Sequence, residues 1–158
     1  MKTMSPTFLL TRFQGAVLAM MLLLTACGGG VGPVSPTDSS DAAIAAAVKL
    51  GYGDCNTDNY LMTSQFHVLL CTGAVNGQLF ALFFQGATYV GKNADAPSGK
   101  LEVIWRQPET VALLYGLYRP GDQLCCPTAG ASVVRYQLKG SQVLALDPLP
   151  SQKDLMPR

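Results

Sequence analysis

The apolar positions of this chain change their period along its length. From Ala16 to Ala26 they form an almost unbroken run. From Asp41 to Leu50 small apolar residues dominate, preceded by Asp38, Ser39 and Ser40 as N-cap oxygens and followed by Gly51 as a left-handed stop, which predicts one short helix. Ile44, Val48 and Leu50 lie near a spacing of four and are expected to pack as its stripe on a sheet. Beyond Gln65, β-branched and aromatic residues alternate between frequent turn signals, the pattern of strands. Phe66, Val68 and Leu70 share one face, and Asn76-Gly77 signals a hairpin into Leu79 to Phe84, which is apolar on both faces and hence central. Thr88 to Val90 is a short strand, and Leu101, Val103 and Trp105 are expected on one face of the next. Val111, Leu113, Tyr115 and Leu117 follow, then Val134, Tyr136 and Leu138, and a return strand at Val143 to Leu146. The fold class expected is α+β, one short N-terminal helix packed on an antiparallel sheet of about five or six strands.

The opening run has the layout of a signal peptide: Lys2 and Arg12 are its only charges, and Arg12, Gln14 and Gly15 interrupt it before the roughly 20 apolar residues that a membrane span requires. It closes on Leu24-Thr25-Ala26-Cys27, which resembles the bacterial lipobox. That resemblance implies cleavage after Ala26 and lipidation of the Cys27 thiol. A lipobox cysteine carries at least two acyl chains, enough for stable anchoring where one chain is marginal. The Gly, Pro and Ser-rich stretch that follows reads as a flexible tether. The domain expectations are therefore 1–26 signal peptide, 27–40 lipidated cysteine and tether, 41–152 one globular domain, and 153–158 tail.

Composition narrows the partners. Cleavage removes Lys2 and Arg12, so the mature chain carries 9 basic against 10 acidic side chains. This balance makes no electrostatic case for nucleic acid or anionic lipid. The membrane, reached through the lipid on Cys27, is the expected partner, with an envelope protein or ligand of unspecified kind.

The most individual segment runs Tyr115-Gly-Leu-Tyr-Arg-Pro-Gly-Asp-Gln-Leu-Cys-Cys-Pro-Thr-Ala-Gly130 and continues to Leu146-Asp-Pro-Leu-Pro150. Together with Phe83-Phe-Gln-Gly86 and Tyr89-Val-Gly91, it resembles the LppP/LprE family of actinobacterial lipoproteins over roughly residues 79–150, with Cys-Cys-Pro as the specific element. The resemblance implies a lipid-anchored extracytoplasmic domain and no reaction. Arg119-Pro-Gly-Asp122 reads as a turn, because Pro120 sets φ and Gly121 accepts a positive one. Its loop is expected to be a structural corner, with Asp122 accepting backbone hydrogen bonds, or else a binding loop offering Arg119 and Asp122 to a partner.

Of the five cysteines, Cys27 goes to lipid, and Cys55, Cys71, Cys125 and Cys126 lie where disulfides persist. A Cys125 to Cys126 bridge is disfavoured, because adjacent Cα atoms lie about 3.8 Å apart and extended neighbours point to opposite sides. Two long-range bridges from Cys55 and Cys71 to the Cys125-Cys126 corner are expected instead. Were Cys55 joined to Cys71, the corner would become the first place to look for redox activity.

Other chemistry finds no frame. The sole histidine, His67, lies in an apolar strand, expected near the sheet surface, with no serine elbow or cysteine pair suited to zinc. Asp54, Asp58, Asp95, Glu102, Glu109, Asp122 and Asp147 are scattered. No catalytic residue, metal or cofactor is assigned, and strand aromatics are expected to fill the core. The functional expectation is a non-enzymatic binding module, anchored outside the cytoplasm to the cell membrane, or to the outer membrane in a Gram-negative source. The competing expectation is a thiol-redox or other enzyme-accessory protein using Cys125-Cys126.

Overall fold

The computed structural model describes residues 36–60 and 65–158; the signal peptide and Cys27 calls lie outside them. Helix α1 spans Pro36–Lys49, starting within the stretch expected as tether, and Pro36 opens it where a missing N–H leaves no bond unmade. Gly51 stops it at φ +87°, with Gly51 N–H donating to the Val48 carbonyl and Tyr52 N–H to that of Ala47, a paired closure of the last turn. The buried stripe differs from the expected one. Ala43 and Ala47 are fully buried, whereas Val48 and Leu50 are about half exposed. Two small side chains let the helix lie close on the sheet; Ile44 packs against the same core as expected, and Val48 and Leu50 are turned to the flanks.

Among the described residues eight strands follow where five or six were expected, and they form two sheets rather than one. The first sheet is β1 (Gly53–Asn56), β2 (Phe66–Thr72), β3 (Leu79–Gln85) and β4 (Thr88–Lys92), in that order. The second is β5 (Leu101–Gln107), β6 (Thr110–Gly116), β7 (Ala131–Lys139) and β8 (Gln142–Ala145), also in sequence order. All pairings are antiparallel, so each sheet is a meander.

The layers run helix, first sheet, second sheet. Phe66, Val68, Ala81 and Phe83 face Leu101, Val111, Leu113, Tyr115, Val134, Tyr136 and Leu138 across the space between the sheets. Leu69, Cys71, Phe80, Leu82 and Phe84 point the other way, against Ala43 and Ala47. This explains why β2 and β3 are apolar on both faces: they are the middle layer. By contrast β7 alternates strictly, with Val134, Tyr136 and Leu138 inward and its other face toward solvent.

A buried polar knot joins the sheets. Tyr136 Oη donates to the Asn93 carbonyl at 2.9 Å and lies 2.6 Å from Tyr115 Oη, which accepts from Asn93 Nδ2 at 3.0 Å. Asn93 Oδ1 accepts from the Ala81 N–H at 2.9 Å. Burial raises both phenol pKa values, Tyr136 far above its ordinary range, so both hydroxyls stay protonated.

Residues 153–158, expected as a tail, are docked. Leu155 is buried and its carbonyl accepts from Gly99 N–H, while the Asp154 and Arg158 carbonyls accept from Tyr118 and Gly121 N–H. Within the described residues no helix is long and apolar enough to cross a membrane.

Candidate functional site

The first candidate is the loop between β6 and β7, residues 117–130. Its neck is closed by hydrogen bonds from Leu117 N–H to the Gly130 carbonyl and from Ala129 N–H to that of Leu117, both 2.9 Å. Asp122 is its internal keystone. The carboxylate accepts from Arg119 N–H at 2.7 Å, from Thr128 N–H at 2.9 Å and from the Thr128 hydroxyl at 2.8 Å. These bonds hold its pKa below the usual carboxylate value, the Arg119 N–H contributing most. Asp122 is thus spent on the loop's own backbone, while Arg119 stands exposed beside it.

Both flanks of the cysteine pair are anchored to the domain. Leu124 sits where side chains on Gly77 and Gly99 would collide with it, a methyl on Gly99 coming within 2.8 Å of Leu124 Cδ1. Its carbonyl accepts from Tyr118 Oη at 2.7 Å. On the other side Pro127 lies over Gly116, where an added Cβ would stand 2.8 Å from Pro127 Cγ. The glycines here are close-approach positions, a role that sequence alone does not distinguish from turn-making.

The disulfides correct the expected pairing. Cys55 is joined to Cys71, and Cys125 to its neighbour Cys126, with Cα separations of 4.0 and 3.8 Å. The first pairing follows from topology. Strand β1 lies against β2 with Gly53 opposite Thr72 and Asn56 opposite Leu70; Asp54, at φ +37°, takes up the extra residue, and Cys55 meets Cys71 on the helix side of the sheet. That face points away from the second sheet and its loop. The second pairing becomes possible because Cys125 and Cys126 are not extended. Cys126 N–H donates to the Gln123 carbonyl at 2.9 Å, a turn, so the argument from opposed side chains does not apply. The Cys55–Cys71 bridge is inside the helix-side core, whereas Cys125 and Cys126 are exposed.

The second candidate is the outer face of the second sheet. The expected sharing of one face by Leu101, Val103 and Trp105 fails at a bulge. Val103 pairs with Leu113 but Trp105 with Ala112, so the strand gains a residue and Trp105 is delivered outward, 45% exposed. The register places it in one row with Ala112 and Arg135, beside a row of Leu114 and Val133 and a further one holding Leu144. Val133, Leu144 and Leu146 are each about 45% exposed. At the rim, Arg135 Nε and Nη2 donate to Asp147 at 2.9 and 2.8 Å, and the Arg135 N–H adds a third bond, which holds the Asp147 carboxyl down to about 2. Among strand aromatics, Trp105 is the one that sequence reasoning misplaced, and the single signal available was the unbroken Val103-Ile104-Trp105 triplet.

His67, expected near the sheet surface, is buried on the helix side of β2 and stacked on Tyr60, ring centroids 4.1 Å apart. Among the described residues no group of three His, Cys, Asp or Glu side chains is placed to hold a metal ion.

No curated protein and no solved structure matches this chain. A family model does: the one described as LppP/LprE lipoprotein covers residues 52–141, more than half of the 158. That span runs from the end of α1 through the first seven strands and takes in the Cys-Cys-Pro loop, so the chain belongs to the LppP/LprE lipoprotein family.

Proposed function

We propose that the protein is an extracytoplasmic lipoprotein held by lipid on Cys27 to the outer leaflet of the cell membrane, and that its domain is a non-enzymatic module that binds an envelope protein. The observation that carries the binding reading is the outer face of β5 to β8. Trp105, Val133, Leu144 and Leu146 are exposed there together on a sheet face that no helix among the described residues covers, and contiguous exposed apolar surface marks an interaction site. The composition favours a protein over a bilayer. An aromatic and aliphatic centre with a polar rim, here the Arg135–Asp147 pair, Glu102 and Gln137, is the anatomy of a protein interface. A lipid-binding face would be rich in Lys and Arg, and the mature chain's balance of charge offers no such attraction.

Two experiments test the two parts. Cys27→Ala should abolish lipid labelling and leave the processed domain in the soluble fraction; lipid labelling that persists would overturn the anchor. A photoreactive residue in place of Trp105 in the lipidated protein should yield one discrete protein adduct in envelope membranes, lost on Leu144→Arg. The same residue at Val75, 60% exposed on the hairpin between β2 and β3, should yield none. Equal labelling from both positions, or adducts with lipid alone, would overturn the sheet face as the docking surface.

A further inference from the structure

Leu124-Cys125-Cys126-Pro127 is a disulfide presented on a frame that does not depend on it. Asp122 ties Arg119 to Thr128, the Tyr118 hydroxyl holds the Leu124 carbonyl, Leu124 fills the notch at Gly77 and Gly99, and Pro127 seats on Gly116. None of these contacts passes through sulfur. Opening the Cys125–Cys126 bond therefore leaves the loop's anchors in place, and both sulfur-bearing residues are open to solvent. The other bridge differs in each respect. Cys71 is fully buried between Leu69, Phe80 and Leu82, and its bond to Cys55 fastens the short edge strand β1 to the sheet.

We propose that Cys125–Cys126 is a thiol–disulfide exchange site whose reaction partner is a dithiol reductant, whereas Cys55–Cys71 is a permanent cross-link. A thiolate of the dithiol attacks one Sγ; the Cys125–Cys126 bond breaks, its electron pair goes to the other Sγ, which takes a proton, and a mixed disulfide joins protein and reductant. The second thiol of the reductant, as thiolate, then attacks its own sulfur in the mixed disulfide and releases the remaining cysteine, which is also protonated. The protein gains two electrons and two protons, and the reductant becomes an internal disulfide. The adjacency of the pair selects the dithiol. After the first attack the displaced thiol stays one residue from the mixed disulfide, at a high effective concentration, and closes the ring again before a second dilute monothiol arrives. Only a reductant with a second thiol of its own competes. This inference goes beyond the binding role of the sheet face and does not rest on it.

The test uses the purified full-length protein in detergent micelles under native conditions, with dithiothreitol as dithiol and 2-mercaptoethanol as monothiol, followed by alkylation and peptide mapping. Dithiothreitol should make Cys125 and Cys126 available to alkylation roughly 100-fold faster than Cys55 and Cys71, because exchange at a buried bridge waits for local opening. The near-ultraviolet circular dichroism and melting temperature should be retained in the singly opened protein. At equal thiol concentration 2-mercaptoethanol should leave the pair oxidised, yet hydroxyethyl disulfide should form a stable mixed disulfide on Cys125 in the Cys126→Ser variant, where no neighbour can displace it. Opening of Cys55–Cys71 first or simultaneously, or loss of tertiary dichroism with the Cys125–Cys126 bond, would overturn the assignment. Equal efficacy of monothiol and dithiol would overturn the selection of a dithiol.

Discussion

Removing one oxygen from the buried knot between the sheets should cost the domain a large part of its stability. In Tyr136→Phe the ring remains against Phe83, 5.0 Å between centroids, so packing is nearly conserved and the change isolates the hydroxyl. Two groups lose their partner: the Tyr115 hydroxyl, which is left with the Asn93 amide alone, and the Asn93 carbonyl. Tyr115 is fully buried and Asn93 is 3% exposed, so water cannot replace what is lost. A buried group left unsatisfied costs about 1–3 kcal/mol, which makes the expected loss about 2–4 kcal/mol. Domains of this size have roughly 5–15 kcal/mol in total. Differential scanning calorimetry of the purified protein should register a fall of about 6–24 °C, since 1 kcal/mol moves Tm by roughly 3–6 °C at this chain length. A Tyr115→Phe change in the same background should cost much less than it does alone, because the bond it would break is already gone. The knot also sets an alkaline limit. Burial raises both phenol pKa values, so the folded state keeps protons that the unfolded chain releases near pH 10. The resulting stability is fully present below that pH and is lost as pH rises beyond it, so tyrosinate absorbance from these two rings should appear only with unfolding. A Tm within about 2 °C of the parent, set against the cost above, or additive losses in the double variant, would refute the knot as the link between sheets.

Other perturbations probe separate layers. Phe83→Asp places an unpaired carboxylate in the fully buried middle of the sandwich and should abolish the cooperative thermal transition, with loss of far-ultraviolet circular dichroism at room temperature. Leu155→Ala should destabilise by about 2–5 kcal/mol and raise exchange of the Gly99 and Tyr118 amides in particular, because the docked C-terminal segment supplies their acceptors. Asp147 is held at about 2 by Arg135, below the ordinary aspartate value of 3.8; its contribution is present above that value and lost as pH falls toward 2. Asp147→Asn should therefore flatten the fall in Tm over that window, and an unchanged acid profile would count against the bidentate pair.

Much of the fold was written in local signals. The stop at Gly51, the central character of Leu79 to Phe84 and the inward set Val134, Tyr136 and Leu138 follow from a φ requirement or a period of two, which chain neighbours specify by themselves. Strand β1 has no such signature: Gly53-Asp-Cys-Asn56 is a short edge whose pairing depends on β2 and the Cys55–Cys71 bond. The division into two sheets was equally hidden, because alternation records that a face is buried and not what buries it. Apolar residues on both faces of β2 and β3 were the trace of a third layer.

The candidate sites were less legible because each turns on a displacement of a single residue. In β5 the bulge after Val103 moves Trp105 from the core face to the outer one, and in β1 the irregularity at Asp54 brings Cys55 to the face of Cys71. A slip of one position inverts every side chain beyond it, so a strictly alternating reading assigns the wrong face with no internal contradiction. The loop needs no long-range bridge. A disulfide from the first sheet to the Cys125-Cys126 corner would have joined layers that the Tyr115–Tyr136–Asn93 knot, the Leu79–Ser98 backbone pair and the docked Leu155 already join. With the layers held by hydrogen bonds and burial, one pair of cysteines is left to fasten an edge strand, and the other stands at the surface on a loop whose shape Asp122, Leu124 and Pro127 maintain without it.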